Sequence, residues 1–287
     1  MWTTAISAAI ILAGVTVTAL IWWFAGRKLA SPVMDAFSDY YSIQIRNREA
    51  FEKNFASDIA VFKALLSRLR EVWARVGVTR GVSGQSHVGL LPFSNLLLRH
   101  VIFGFEHLSC YQSFLAWLTF RPGLEALLMI GKFVDDPANA KIWLEREIDP
   151  KAYRQAFWGN ALESKSLPRS AEFRQVLTRL NDDFMHPNPA FTYRDATVKT
   201  DSAGHLVEVQ FFDVSAELHE AHILAYLNLL DIIVATSDSL VTALCGPSGT
   251  NSAAQQAYET KEQNRATQLA KNAVAKNIMQ DLGLWKL

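Results

Sequence analysis

Residues 55–76 read FASDIAVFKALLSRLREVWARV, and their apolar positions decide the fold class. Phe55, Ile59, Phe62, Leu66, Leu69, Trp73 and Val76 recur at alternating steps of four and three, which puts one apolar stripe on a helix. The run covers about three heptads, too few to select a coiled-coil seam over ordinary core packing. A helix that must bury such a stripe calls for other helices, and the rest of the chain supplies them.

Upstream, no charged residue occurs from Trp2 to Phe24, a span of 23 residues. At helical rise this is about 34 Å, enough to cross a hydrocarbon core. Trp2 stands at one end and Trp22, Trp23 and Phe24 at the other, where amphipathic rings settle among headgroups. Arg27 and Lys28 follow at once and no cation precedes the run, so the positive-inside rule places the N-terminus outside and the remainder in the cytoplasm. A cleaved signal peptide would want a basic leader and small residues before the cut; Trp23 or Lys28 stands in the way at the candidate sites. The expectation is a retained single-pass anchor over residues 1–26, in the inner membrane if the source is bacterial, with membrane lipid as its partner. Between Arg27 and Arg80 ten Lys and Arg face six Asp and Glu, an excess that suits anionic lipid or simply a solvated helix face.

Downstream, glycines from Gly77 to Gly89 predict a loop, which closes a juxtamembrane segment of helices over residues 27–92. A core domain is expected over 93–246. It opens with a long apolar helix from about Phe93 to Thr119, interrupted by Arg99 and Glu106 and so read as core, not as a membrane span. Arg121-Pro122 predicts a bend, and Gly123 to Val134 a further helix. Asp136-Pro137 and Asp149-Pro150 are helix starts of the cap-then-proline kind. Another helix begins at Pro168 and Ser170 and runs to about Phe184. Alternating residues in Ala196–Thr200 and Leu206–Phe212 predict a hairpin insertion over 196–212, and Ser215 opens an apolar helix to about Leu244 whose Asp231 and Asp238 argue against insertion. Residues 247–287 read as a linker and a peripheral helix. The fold class is all-α with one small hairpin.

Composition narrows the function less than the fold. Half the residues are hydrophobic, and 28 basic residues balance 28 acidic ones, which argues against wholesale coating of nucleic acid but leaves room for a local basic site. Cys110 and Cys245, the two cysteines, lie in apolar stretches that suit buried thiols in a reducing compartment. No glycine-rich phosphate cradle is present, Ser83 lacks the spacing of a nucleophile elbow, and no cofactor motif is found. His219 and His222 flank Glu220 at a spacing that lacks a third metal ligand, so no metal site is assigned. His100 and His107 share a face of an apolar helix, where hydrogen-bonded core histidines are the expectation.

One polar stretch stands apart: Arg179-Leu180-Asn181-Asp182-Asp183-Phe184-Met185-His186-Pro187-Asn188-Pro189. Pro187 and Pro189 push the residues before them toward extended backbone, ending a helix with polar groups free to face a cleft. A histidine can move protons at neutral pH and an arginine fork suits a phosphate, so His186 and Arg179 suit such a pair; the plainer reading is that His186 caps the helix. Paired with Arg121-Pro122-Gly123-Leu124-Glu125-Ala126 some sixty residues earlier, and with Asp136-Pro137 and Trp143-Leu144-Glu145 between, this stretch resembles a group of uncharacterised HEPN-like proteins. The likeness covers about residues 95 to 245.

That resemblance implies an antiparallel helical bundle, often a homodimer, whose catalytic members cut RNA without metal through an arginine and a histidine. Arg179 and His186 fill those roles at a spacing of R-x6-H. Asn181, at N-x4-H, is an equally available partner for His186, and Glu125 lies on the other matching helix. The function expected is a membrane-anchored HEPN-like ribonuclease or RNA-binding effector; a stress or phage-defence setting comes from the resemblance alone. The alternative is a non-catalytic helical module that binds a protein at the cytosolic face of the membrane. A lipid-acting enzyme has only its location in favour. A reporter fused after Leu287 is expected to register as cytosolic, and a periplasmic or luminal signal would overturn the orientation that Arg27 and Lys28 imply.

Overall fold

The computed structural model describes residues 38–78, 84–182, 196–201, 204–209, 212–213, 215–247 and 271–282. The anchor expected over residues 1–26 lies outside them. The chain divides into two compact units, Met1–Ala50 and Phe51–Leu287. In the first, the described residues are helical, part of a helix (α1) over residues 38–54, and Tyr41 and Ile45 are exposed.

The second unit is a helical bundle. Its helices are α2 (Ala56–Val78), α3 (Gly84–Ser109), α4 (Ser113–Asp135), α5 (Ala138–Leu144), α6 (Pro150–Phe157), α7 (Ser170–Leu180), α8 (Ala216–Cys245) and α9 (Ala273–Asp281), with one 3-10 turn at Gly159–Leu162. Strand β1 (Ala196–Asp201) pairs antiparallel with β2 (Gly204–Val209), Ala196 opposite Val209 and Asp201 opposite Gly204. The second strand thus begins two residues earlier than the alternation of Leu206–Phe212 suggests. The unit is also wider than the core domain expected over 93–246: α2 and α9 belong to it, and residue 93 falls inside α3.

The stripe on α2 does what its spacing predicts. Phe62, Leu69, Trp73 and Val76 are buried, with Phe55, Ile59 and Leu66 half-buried against them. Its main partner is α8, which it follows in parallel: Phe55 lies beside His219 near one end, and Arg75 reaches Asp238 and Thr242 near the other. Arg75 also donates to the Gly246 carbonyl, so α2 supplies the cation at the C-terminus of α8, whose own last turn has none.

α3 and α4 pack antiparallel over their whole length, Gly89 meeting Phe133, His100 meeting Gly123 and Gly104 meeting Ala116. Three expectations are corrected here. The apolar run from Phe93 to Thr119 is not one helix, because a turn at Cys110–Gln112 separates α3 from α4. Conversely, α4 continues through Pro122, and α3 begins at Gly84 and includes Pro92. Pro122 has no N–H for its turn of α4, and in that turn the Thr119 carbonyl lies 2.6 Å from His100 Nδ1. Thirteen of the 23 residues of α4 are buried, and this packing holds the helix through the proline.

α4 and α8 are long and apolar enough to cross a membrane by length and composition. Half or more of each apolar window is buried inside the protein instead, 61% for α4 and 50% for α8. Caps fall where the sequence puts them: Asp136 accepts from Ala138 N–H, Asp149 from Ala152 N–H and Ser215 from Leu218 N–H. Past α5 the chain turns through Glu145–Ile148, so that helix is shorter than its cap alone suggests.

Helix α7 is strapped to α4. A Cβ at Gly131 would stand 2.7 Å from Ser164 Cβ and 2.8 Å from Leu167 Cβ, so only a glycine admits the loop before α7. Asp135, at the end of α4, accepts from Ser164 Oγ and from the N–H groups of Lys165 and Ser166. Burial alone would raise that carboxyl, but those hydrogen bonds outweigh it and hold Asp135 below the usual carboxylate range.

Where α3 meets α8, the Tyr226 hydroxyl donates to the Val101 carbonyl at 2.7 Å, directly over Gly104. A Cβ at Gly104 would lie 2.5 Å from that hydroxyl and 3.1 Å from the Ala116 carbonyl. Gly104→Ala is therefore expected to lower unfolding free energy by about 1–3 kcal/mol despite the better helix propensity of alanine. Urea denaturation checks it; a neutral or stabilising result would mean that α3 has room to shift.

Candidate functional site

The loop straps at Ser164–Leu167 fix one end of α7; the other end is held by the residues singled out from sequence. Arg121, on α4, donates from Nε to the side-chain oxygen of Asn181, which follows α7 directly. The same guanidinium pairs with Glu125 one turn along α4, Nη1 to Oε2 at 3.2 Å. Two segments some sixty residues apart in sequence thus meet through one arginine. Arg121 is largely covered and Glu125 is half open to solvent, with side-chain exposures of 23% and 41%. Tyr153 on α6 stands within electrostatic reach: burial raises its hydroxyl pKa, Glu125 raises it further, and Arg146 opposes both.

The structure sorts the candidates. Glu125 and Asn181 are together, joined by Arg121. Arg179 is on α7, exposed to solvent, and makes no ion pair among the described residues. Leu180, beside it, is fully buried and turns the apolar face of α7 inward with Phe173, Val176 and Leu177. His186 lies outside the described residues. The helix expected to run to Phe184 is described as α7 only to Leu180. Arg121 was legible as part of a motif, but its hold on Asn181 was not: nothing in either segment specifies the other.

A second polar cluster gathers around His219, which the sequence marks only as half of a histidine pair without a third metal ligand. Asp213 comes between β2 and α8 and is fastened to the turn between α3 and α4. Its N–H donates to the Tyr111 carbonyl at 2.7 Å, and its carboxylate accepts from Ser113 Oγ at 2.6 Å and from His219 Nδ1 at 2.7 Å. The His219 ring stacks on Tyr111 at 4.0 Å and meets Phe51 and Phe55 edge-on. Serine, histidine and aspartate together invite a catalytic reading, and the geometry refuses it. Ser113 Oγ and His219 Nδ1 converge on the same carboxylate oxygen, while Nε2, the nitrogen that would take a nucleophile's proton, is buried with no partner among the described residues. His219 is fully buried, so the cluster is a clasp that seats the start of α8. Nothing in the sequence ties His219 to Asp213 or Ser113 beyond an aspartate shortly before a capped helix.

His100, His107 and His222 are hydrogen-bonded within the bundle, as the apolar helix around the first two predicts. Trp117 Nε1 donates to His222 Nδ1 at 3.0 Å, which places the His222 proton on Nε2 if the ring is neutral. His107 Nδ1 lies 3.3 Å from the Gln112 side-chain oxygen. No group of three or more potential metal ligands is found among the described residues.

The bond from Arg121 to Asn181 is part-buried and charge-assisted, so it carries a measurable coupling. Arg121→Ala and Asn181→Ala, alone and together, are expected to give an interaction energy of about 0.5–1.5 kcal/mol in a double-mutant cycle of urea unfolding. Strict additivity would show that α4 and the end of α7 are held by packing alone. Compared with family models, with curated proteins and with solved structures, the chain matches none.

Proposed function

We propose that the chain is a membrane-tethered effector of the HEPN-like kind that binds and cleaves RNA, with Arg179 and His186 as its working pair. One observation supports the choice of Arg179 over Asn181 as the partner of His186. Asn181 spends its side-chain oxygen on Arg121, whereas Arg179 stands exposed on the last turn of α7, seven residues before His186. A guanidinium there can take a phosphate in its two-pronged fork. Arg121 and Glu125 then act as the brace that fixes where α7 ends.

In this reading the reaction is an internal transesterification. The ribose 2′-oxygen forms a bond to phosphorus as the bond to the 5′-oxygen breaks; one imidazole accepts the 2′-hydroxyl proton and an imidazolium returns one to the leaving oxygen. A homodimer supplies two copies of His186, one for each role. Arg179 steadies the charge that accumulates on the non-bridging oxygens. The tether rests on the uncharged run from Trp2 to Phe24 and on Arg27 and Lys28 after it.

The test separates function from folding. His186→Ala is expected to reduce cleavage of a single-stranded RNA by about 10²–10⁴-fold while leaving the melting temperature unchanged, because a cleft histidine acts in the transition state. Arg179→Ala should weaken cleavage without loss of stability; Asn181→Ala should instead cost stability first. A fall in melting temperature with His186→Ala and no specific loss of cleavage would favour the protein-interaction module.

A further inference from the structure

Three large apolar side chains in the second unit stand well out of the protein: Ile148 is 83% exposed, Trp158 70% and Leu144 60%. All three flank α6, Leu144 and Ile148 before its start and Trp158 after its end. What makes them informative is the cations that lie among them along the chain. The helix between them lies flat on the domain. Phe157 is buried and Tyr153 and Ala156 are half-buried on its inner side, while Lys151, Arg154 and Gln155 face outward, a spacing that Trp158 continues.

The local charges resolve unequally. Glu145 pairs with Lys141 at 3.8 Å, Glu147 with Arg146 at 3.3 Å, and Asp149 accepts from the first turn of α6. Each nearby carboxylate therefore has a partner. Lys151 and Arg154 make no ion pair among the described residues; Arg154 donates only to the Pro150 carbonyl, from Nε. The exposed side of α6 thus carries two cations without an ion pair among the described residues, with exposed apolar residues before and after the helix.

We propose that this surface docks on a bilayer carrying anionic lipid, with Leu144, Ile148 and Trp158 entering the interfacial zone and Lys151 and Arg154 meeting headgroup phosphates. Leucine and isoleucine gain by leaving water for acyl chains, and tryptophan prefers the headgroup boundary. A single-stranded RNA would use Trp158 and the cations but has nothing to offer Leu144 and Ile148, which decides between the two polyanions. The inference rests on the tether in the reading above. A chain already held at the membrane needs only a weak second contact, because tethering raises its effective concentration there.

The full chain is reconstituted into phosphatidylcholine vesicles and into phosphatidylcholine–phosphatidylglycerol vesicles, with a nitroxide attached at Ile148→Cys or, as an exposed reference on α7, at Ala171→Cys. The unsubstituted chain, with Cys110 buried and Cys245 half-buried, is the labelling control. The ratio of oxygen to nickel-chelate accessibility at position 148 should rise several-fold over position 171 in the anionic vesicles. It should fall back to the reference when Lys151→Glu and Arg154→Glu are added, two exposed changes that leave the melting temperature unaltered. A position 148 as open to nickel as position 171 in both vesicles would overturn the docking surface. So would a response at 148 only to added oligouridylate. A chain that carbonate washes from the vesicles would overturn the tether instead, and the probe at 148 still reports whether α6 enters the anionic surface.

Discussion

A helix buried over most of its circumference cannot leave its polar side chains to water, and in this protein that helix is α8. Seventeen of its thirty residues are buried, His219, His222 and Tyr226 among them. Each must find a partner inside, since an unsatisfied buried polar group costs about 1–3 kcal/mol. The partners come from different places: Asp213 for His219, Trp117 of α4 for His222, and the Val101 carbonyl of α3 for Tyr226. Those three bonds fix the level of α8 against α3 and α4. The antiparallel α3–α4 pair, set by close contacts at Gly104 and Gly123, then becomes a platform on which α7 is laid.

The same requirement explains what the sequence could and could not disclose. Helical stripes and caps are local, and they are legible: α2 from its spacing, α6 from Asp149-Pro150, α8 from Ser215. The break between α3 and α4 is not local. Tyr111 takes a positive φ of 59°, a conformation that nothing in Cys110-Tyr111-Gln112 demands. It is held there because its carbonyl accepts from Asp213 and its ring stacks on His219, a hundred residues away. Pro122 errs in the opposite direction. An interior proline costs a helix about 3 kcal/mol, yet Trp117, Phe120, Leu124 and Leu127 are all fully or almost fully buried around it, and that packing outweighs the lost bond.

The candidate site divides along the same line. Arg179 and Asn181 could be singled out from sequence because they lie in a polar stretch that two prolines end; Arg121 and Glu125 came forward only through the family resemblance. The division of labour among the four could not be read from sequence. Whether Arg121 or Arg179 is the exposed cation depends on which side of α7 faces α4, and that is decided by Phe173, Val176, Leu177 and Leu180 turning inward together.

Leu180 carries the last step of that argument. Being fully buried, it fixes the rotation of α7 at its final turn, and Asn181, the next residue, is drawn to Arg121 as a result. The other end of α7 is fixed by Gly131 and Asp135 on the same partner helix. A helix of eleven residues held at both ends has little freedom to rotate, so Arg179 projects to solvent as a consequence of two anchors and not by chance of surface position. Any residue that follows must leave from a point that α4 has already set. For the proton transfer proposed at His186 this would matter, because catalysis by position requires supporting elements that are rigid before the substrate arrives. The contacts of Arg121 with Glu125 and Asn181 thus set the point from which the chain leaves α7.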